Sequence, residues 1–226
     1  MDSRRQYSDV PNYAVILWDN DGVLVDTERW YFQATREVFA GAGIDLTVEL
    51  YFEYFLLRSR GTSTFASTHG LSEADITAMQ GARNERYLQM LEEECITMDG
   101  VRETLAILRP HFAMGIVTSS RWQHFETIHR RTGLLEFFDF AITHEDYLRS
   151  KPAPDPYLAA VARSGLPAGK CLAIEDAPRG LIAAHAALLD CWVIPTEFTR
   201  RSPFSGATRV LDHITEVSAL LLDRLG

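Results

Sequence analysis

Apolar residues along the chain fall into two periods, and the points where one gives way to the other divide it. Residues 14–18 are continuously apolar, with β-branched and aromatic side chains among them, which predicts a strand buried on both faces of a parallel sheet. From 26 to about 98 the period becomes helical: Trp30, Ala34 and Val38, then Leu50, Tyr54 and Leu57, with Gly41 and Gly43 as a stop between them. Ser72-Glu73-Ala74-Asp75 reads as a helix start, opening a segment that passes Tyr87 and Leu91 and ends in Glu92-Glu93-Glu94. Short apolar runs then return at 113–117, 140–143, 171–174 and 191–194, separated by helix-like segments of crossover length. A polar loop over 200–209, with Pro203 and Gly206, precedes a last edge element and helix. The alternation predicts an α/β fold with a doubly wound, parallel, Rossmann-like sheet, into which a helical subdomain is inserted after the first strand. There is no internal repeat and no low-complexity tract.

Composition narrows the class without changing this layout. The chain has 226 residues, enough for one α/β domain with an insertion; 46% are hydrophobic and 23% charged, the balance of an ordinary globular protein. A net charge of −9 argues against nucleic acid as a partner, because the expected footprint there is a basic face. No apolar run approaches the roughly 20 residues of a membrane span, and the first residues are polar, with Arg4 and Arg5 but no apolar signal core. A cytoplasmic monomer without a membrane partner is expected. Cys95, Cys171 and Cys191 are odd in number, far apart and set in apolar stretches, which reads as buried free thiols.

Four strand ends carry candidate chemistry. The first strand delivers Asp19 and Asp21 to the carboxyl edge of the sheet, with Asn20 pointing away and Gly22 allowing a turn. Two carboxylates so close repel unless one is protonated or a divalent cation lies between them. Thr118-Ser119-Ser120 offers hydroxyls and backbone N–H groups to an anion near a helix N-terminus. Lys151 sits on an arm stiffened by Pro152, Pro154 and Pro156, where it can hold a carboxylate and a phosphate in contact; Asp155 fits an N-cap. Glu175-Asp176 directly follows an apolar strand, a costly place for two acids unless they are solvated or bind a cation such as Mg²⁺. Each site alone is equally a solvated turn, an N-cap or a surface lysine.

Their order joins them. Asp19-Asn20-Asp21-Gly22-Val23-Leu24-Val25-Asp26-Thr27-Glu28 closely resembles the first motif of the haloacid dehalogenase-like (HAD) phosphohydrolases, in the branch with β-phosphoglucomutase and phosphoglycolate phosphatase. The hydroxyl, the lysine and the acidic pair then follow in the order of that family's remaining motifs. The resemblance covers nearly the whole chain and implies a HAD core over 1–25 and 99–226 with a helical cap over 26–98. It implies Asp19 as nucleophile, Asp21 as proton donor and acceptor, and Thr118, the Ser119 N–H and Lys151 as holders of the phosphate. Mg²⁺ would be held by Asp19, the Asp21 carbonyl and Asp176, with Glu175 assisting. The implied substrate is a small phosphorylated sugar or organic acid, met on the cap side by Arg58, Arg60 and Arg83. Asn20, Asp99 and Leu188 depart from the pattern, standing where the family usually has a bulky apolar residue, a proline and a glycine. A phosphosugar mutase is the alternative activity; Tyr31 and Thr64 stand where that branch carries a histidine and an arginine, which favours water as the acceptor. A phosphorylatable receiver module is about half this length and orders its acids differently, and a non-enzymatic HAD scaffold would not retain all four motifs.

Overall fold

The chain is described here by a computed structural model covering residues 13–57, 61–94 and 97–223. The first expected strand forms as β1 (Val15–Trp18) in the interior of a six-stranded parallel sheet. β2 (Ala113–Val117) and β3 (Phe140–Ile142) extend the sheet on one side, and β4 (Cys171–Glu175), β5 (Asp190–Val193) and β6 (Arg209–Val210) on the other, in the order β3-β2-β1-β4-β5-β6. Trp18 pairs with Ile116 of β2 and Ile174 of β4, so the ends of these three strands come level. The strand order reverses at β1, and in such sheets the crevice outside the carboxyl ends at the reversal is the binding position.

Helices α1 (Glu28–Gly41), α2 (Val48–Tyr51), α3 (Gly61–Thr68) and α4 (Glu73–Glu94) lie between β1 and β2, followed by α5 (Val101–Leu108). Downstream come α6 (Trp122–Thr132), α7 (Asp155–Ser164), α8 (Pro178–Ala186) and α9 (Thr215–Leu222). The alternation of side chains along β1 feeds two cores. Ile16 and Trp18 pack with Leu105, Phe125, Ile128 and Val217 on one face, and Val15 and Leu17 with Tyr157, Ala160, Leu181 and Ala184 on the other. A third apolar cluster, with Phe39, Leu46, Tyr51, Phe55 and Phe65, lies within the helical segment. Phe198, beyond β5, packs against Phe32 and Tyr51 of that segment.

The expected helix start at Ser72 is a reciprocal cap: Ser72 Oγ accepts from the Asp75 N–H, and the Asp75 carboxylate accepts from the Ser72 N–H, each at 3.2 Å. Asp155 departs from its expected role, since its carboxylate pairs with Arg149 at 2.9 Å and the helix begins on it. Glu175 stays in the β4 ladder opposite Val193, a strand-end carboxylate that apolar patterning leaves out. Leu188 adopts φ 62° in the turn after α8, the left-handed conformation that a glycine would take without strain. Its side chain escapes crowding by pointing into solvent, 83% exposed, while Leu189 turns inward. Cys171 and Cys191 are buried free thiols; Cys95 lies outside the described residues. No helix among the described residues is long and apolar enough to cross a membrane.

Candidate active site

Asp19 continues the β1 ladder, its N–H donating to the Ile174 carbonyl at 2.9 Å. The chain then tightens: the Asn20 carbonyl accepts from the N–H groups of Val23, Leu24 and Val25, and Gly22 turns with φ 86°. A Cβ at Gly22 would lie 2.5 Å from Asp176 Oδ2, so the missing side chain lets the ends of β1 and β4 approach each other. The result is a buried group of acids in which oxygens of Asp19, Glu175 and Asp176 all lie within 4.8 Å of one another.

Lys151 reaches into this group, and its ammonium uses all three donors: Asp19 Oδ1 at 2.8 Å, Glu175 Oε1 at 2.7 Å and the Val117 carbonyl at 2.8 Å. The Tyr157 hydroxyl also donates to Glu175 Oε1, at 2.5 Å, and Gly180 leaves room for the Glu175 carboxylate, which a Cβ there would strike. Glu175 therefore acts on the group through the lysine. Asp21 stands apart from the three acids. Its Oδ2 accepts from Ser120 Oγ at 2.8 Å and Thr118 Oγ1 at 3.2 Å, and its Oδ1 accepts from the Thr27 hydroxyl. The Ser120 N–H donates to Thr118 Oγ1 at 3.0 Å, which fixes the hydroxyl loop against β1.

The electrostatics follow from three acids facing one lysine. Burial, reinforced by the Glu175 charge and opposed by Lys151, pushes Asp19 up to about 7. Burial and the neighbouring Asp19 and Glu175 hold Asp176 well above the usual carboxylate range. Burial alone would pull Lys151 down, but Asp19 and Glu175 reverse this and keep it charged above its ordinary value. Such a set of hard oxygen donors, with more negative charge than its lysine balances, fits a divalent cation of the Mg²⁺ kind.

A cavity of about 410 Å³ opens above this end, floored by Asp19, Asp21, Ser119 and Lys151 and walled by the helical segment. Arg83 on α4 is buried in that wall: it donates to the Tyr31 hydroxyl and, at 3.1 Å, to Thr62 Oγ1, with its guanidinium 4.5 Å from the Tyr31 ring centre. Glu28 accepts from the Tyr51 hydroxyl, and burial raises its pKa against the opposing charge of Arg179. Arg58 and Arg60 lie outside the described residues.

A profile of the haloacid dehalogenase-like hydrolases matches residues 13–187, which hold every strand through β4 and all the acids described above. The chain belongs to this family. Among its relatives, CbbY of Rhodobacter capsulatus is 30% identical, over 85% of this chain and 89% of its own. A variant of CbbY from Rhodobacter sphaeroides, solved in complex with xylulose-1,5-bisphosphate, superposes with a TM-score of 0.79 at 29% identity, covering 90% of this chain and 96% of that one. Hexitol phosphatase B of Escherichia coli O157:H7 is 26% identical over 90% of this chain and 93% of its own.

Within this HAD fold the structure brings Asp19, Asp21, Ser119, Lys151 and Arg83 to one cavity, with Thr118 hydrogen-bonded to Asp21, and Glu175 and Asp176 grouped with Asp19, buried beneath it. Sequence reasoning missed Tyr157, Glu28, Tyr51 and Arg179, and it offered Ser120 to an anion rather than to Asp21. Glu28 and Arg179 lie inside or beside the quoted motifs, where a signal was present. Tyr51 and Tyr157 carry none, because each reaches its carboxylate through tertiary packing alone.

Proposed function

We propose that the protein is a Mg²⁺-dependent phosphatase that hydrolyses small sugar phosphates through an aspartyl-phosphate intermediate. The observation that carries this reading is the Lys151 ammonium locked on Asp19 within a buried acidic group at the floor of a polar cavity. The names of the relatives, a hexitol phosphatase and a protein solved with a sugar bisphosphate, support the substrate class.

Asp19 attacks the phosphorus of a bound monoester, which splits one difficult hydrolysis into two easier steps. Asp21, held by the hydroxyls of Thr27, Thr118 and Ser120, gives its proton to the leaving oxygen and then takes one from the water that cleaves the intermediate. Lys151 holds Asp19 in line and offers positive charge to the transferring oxygens, aided by Thr118 and the Ser119 N–H. Asp19, Asp176 and the Asp21 carbonyl would hold Mg²⁺, with Glu175 behind the lysine; the cation supplies charge that neutralises phosphate oxygens. Residues 26–98 form a cap over the core of 1–25 and 99–226, with Arg83 meeting the leaving group. The Tyr31 hydroxyl is taken by Arg83 and leaves no imidazole at that place, in keeping with water as the acceptor.

A panel of phosphate monoesters assayed for phosphate release, in Mg²⁺ and in EDTA, tests the reading. Release from sugar phosphates that stops in EDTA and returns with Mg²⁺ is expected. No release from any member of the panel, or isomerisation faster than release, would overturn it.

A further inference from the structure

Asn20 sits between the two catalytic acids, and its side chain is wholly buried on the face away from the cavity. Its amide oxygen accepts from His129 Nε2 at 2.8 Å, deep in the core and 109 residues away in sequence. His129 Nδ1 lies 3.1 Å from Thr132 Oγ1, which itself accepts from the Leu134 N–H at 3.3 Å. The threonine proton is thus free for Nδ1, and the imidazole carries its own proton on Nε2, toward Asn20. Burial pushes His129 down to about 4, which keeps the ring neutral, and Phe125 packs on it with ring centres 4.5 Å apart. The Asn20 amide nitrogen has no hydrogen-bond partner among the described residues. A pair kept at the cost of a buried unpaired donor, at a position where the family usually has an apolar side chain, calls for a reason beyond packing.

What the bond connects supplies one. α6, which carries His129, starts directly after the Thr118–Ser120 loop whose hydroxyls hold Asp21. The end of β1 is therefore tied at Asn20 to α6 and at Asp21 to the loop that leads into α6, and the Asn20 carbonyl also gathers the turn that follows. We propose that His129 is a positioning residue: through Asn20 it sets the orientation of Asp19 and Asp21 relative to the hydroxyl loop. Attack on phosphorus and proton delivery to the leaving oxygen then share one fixed geometry. The inference rests on the phosphatase reading above.

The test compares Asn20→Leu, His129→Phe, their double variant and His129→Gln with wild type and Asp19→Asn, reading Mg²⁺-dependent kcat, KM and thermal unfolding. Each of Asn20→Leu and His129→Phe strands a buried polar group and lowers Tm, whereas the double variant replaces both partners with apolar groups and recovers Tm. The expected result is a double variant with wild-type Tm, kcat down by about tenfold or more and KM within about twofold. His129→Gln, whose amide nitrogen reaches the place of Nε2, keeps kcat well above that of His129→Phe. A stable double variant with wild-type kcat would overturn the inference. So would equal kcat for His129→Gln and His129→Phe at a temperature where both are folded, a comparison that holds even if the double variant does not fold. Wild type no faster than Asp19→Asn would defeat the phosphatase reading itself, and this inference with it.

Discussion

The two ends of the cavity are built on opposite terms. At the core end every donor of Lys151 is committed, Glu175 is pinned by Lys151 and Tyr157, and Asp21 is held by three hydroxyls. Asp19 continues β1 and Glu175 ends β4, so the sheet register fixes both, while Asp21 lies in the turn after β1, Lys151 reaches in from the loop after β3 and Tyr157 from α7. At the helical end Arg83 rests on a tyrosine ring and neutral oxygens, with no carboxylate ion pair to it among the described residues, and that ring, Tyr31, packs against both the third apolar cluster and the core cluster of Ile16 and Trp18. On the proposed reading, the phosphoryl chemistry, which tolerates little displacement, belongs to the end where Lys151 is paired with Asp19 and Glu175, and recognition of the leaving group to the end held by neutral contacts.

Removing the nucleophile should break the comparison most sharply. Asp19→Asn is expected to cost roughly 10⁴-fold or more in phosphate release, with thermal unfolding undiminished because a repelled charge is removed. A variant that keeps a tenth of wild-type activity contradicts the assignment. Lys151→Met comes next: it strips the ammonium from Asp19 and Glu175 and is expected to cost about 3–5 kcal/mol in denaturant unfolding along with activity. If the loss is below about 1 kcal/mol, the core end is not the over-determined site described here.

The pH dependence of folding probes the layer beneath that end. His129 titrates near 4 in the folded chain, against an ordinary value of 6.5. Between those values the unfolded chain binds the extra proton, so stability rises with pH; it is complete above 6.5 and is lost as pH falls toward 4, by about 3 kcal/mol. Unfolding measured at pH 7, 5.5 and 4 for wild type and His129→Gln should show that slope shrink in the variant. Arg83→Ala then tests the helical end, with an expected loss of about tenfold in kcat/KM, a changed order of substrate preference and an unchanged Mg²⁺ requirement. A raised Mg²⁺ requirement would mean that the two ends are not separable. The smallest effect lies outside both: Leu188→Gly should stabilise by about 1 kcal/mol in thermal unfolding with kcat unchanged, by relieving the left-handed backbone.

The same contrast governs what could be read from the sequence. Asp19 and Asp176 were legible because an apolar strand followed by a charged group is a local pattern, and the sheet brings such strand ends together by rule; Lys151 was legible from the prolines that stiffen its arm. The helical insertion was legible as a change of period, and Arg83 only through resemblance. The partner of Glu28 and the clamp on Glu175 were not legible, since Tyr51 and Tyr157 look like any buried aromatic until packing points their hydroxyls at a carboxylate. Asn20 was visible as a departure from the family pattern, yet its meaning depended on His129, which no local pattern links to it.

The central claim, that Asp19 itself receives the phosphoryl group, is open to direct measurement. The enzyme is mixed with a sugar phosphate and Mg²⁺, quenched in acid within a turnover, and the peptide carrying Asp19 is weighed by mass spectrometry. The account predicts one added phosphoryl group on Asp19 in wild type, none in Asp19→Asn, and its disappearance once substrate is exhausted. An active enzyme that turns over with no phosphoryl group on that peptide at any time, or with the group on another residue, would contradict it.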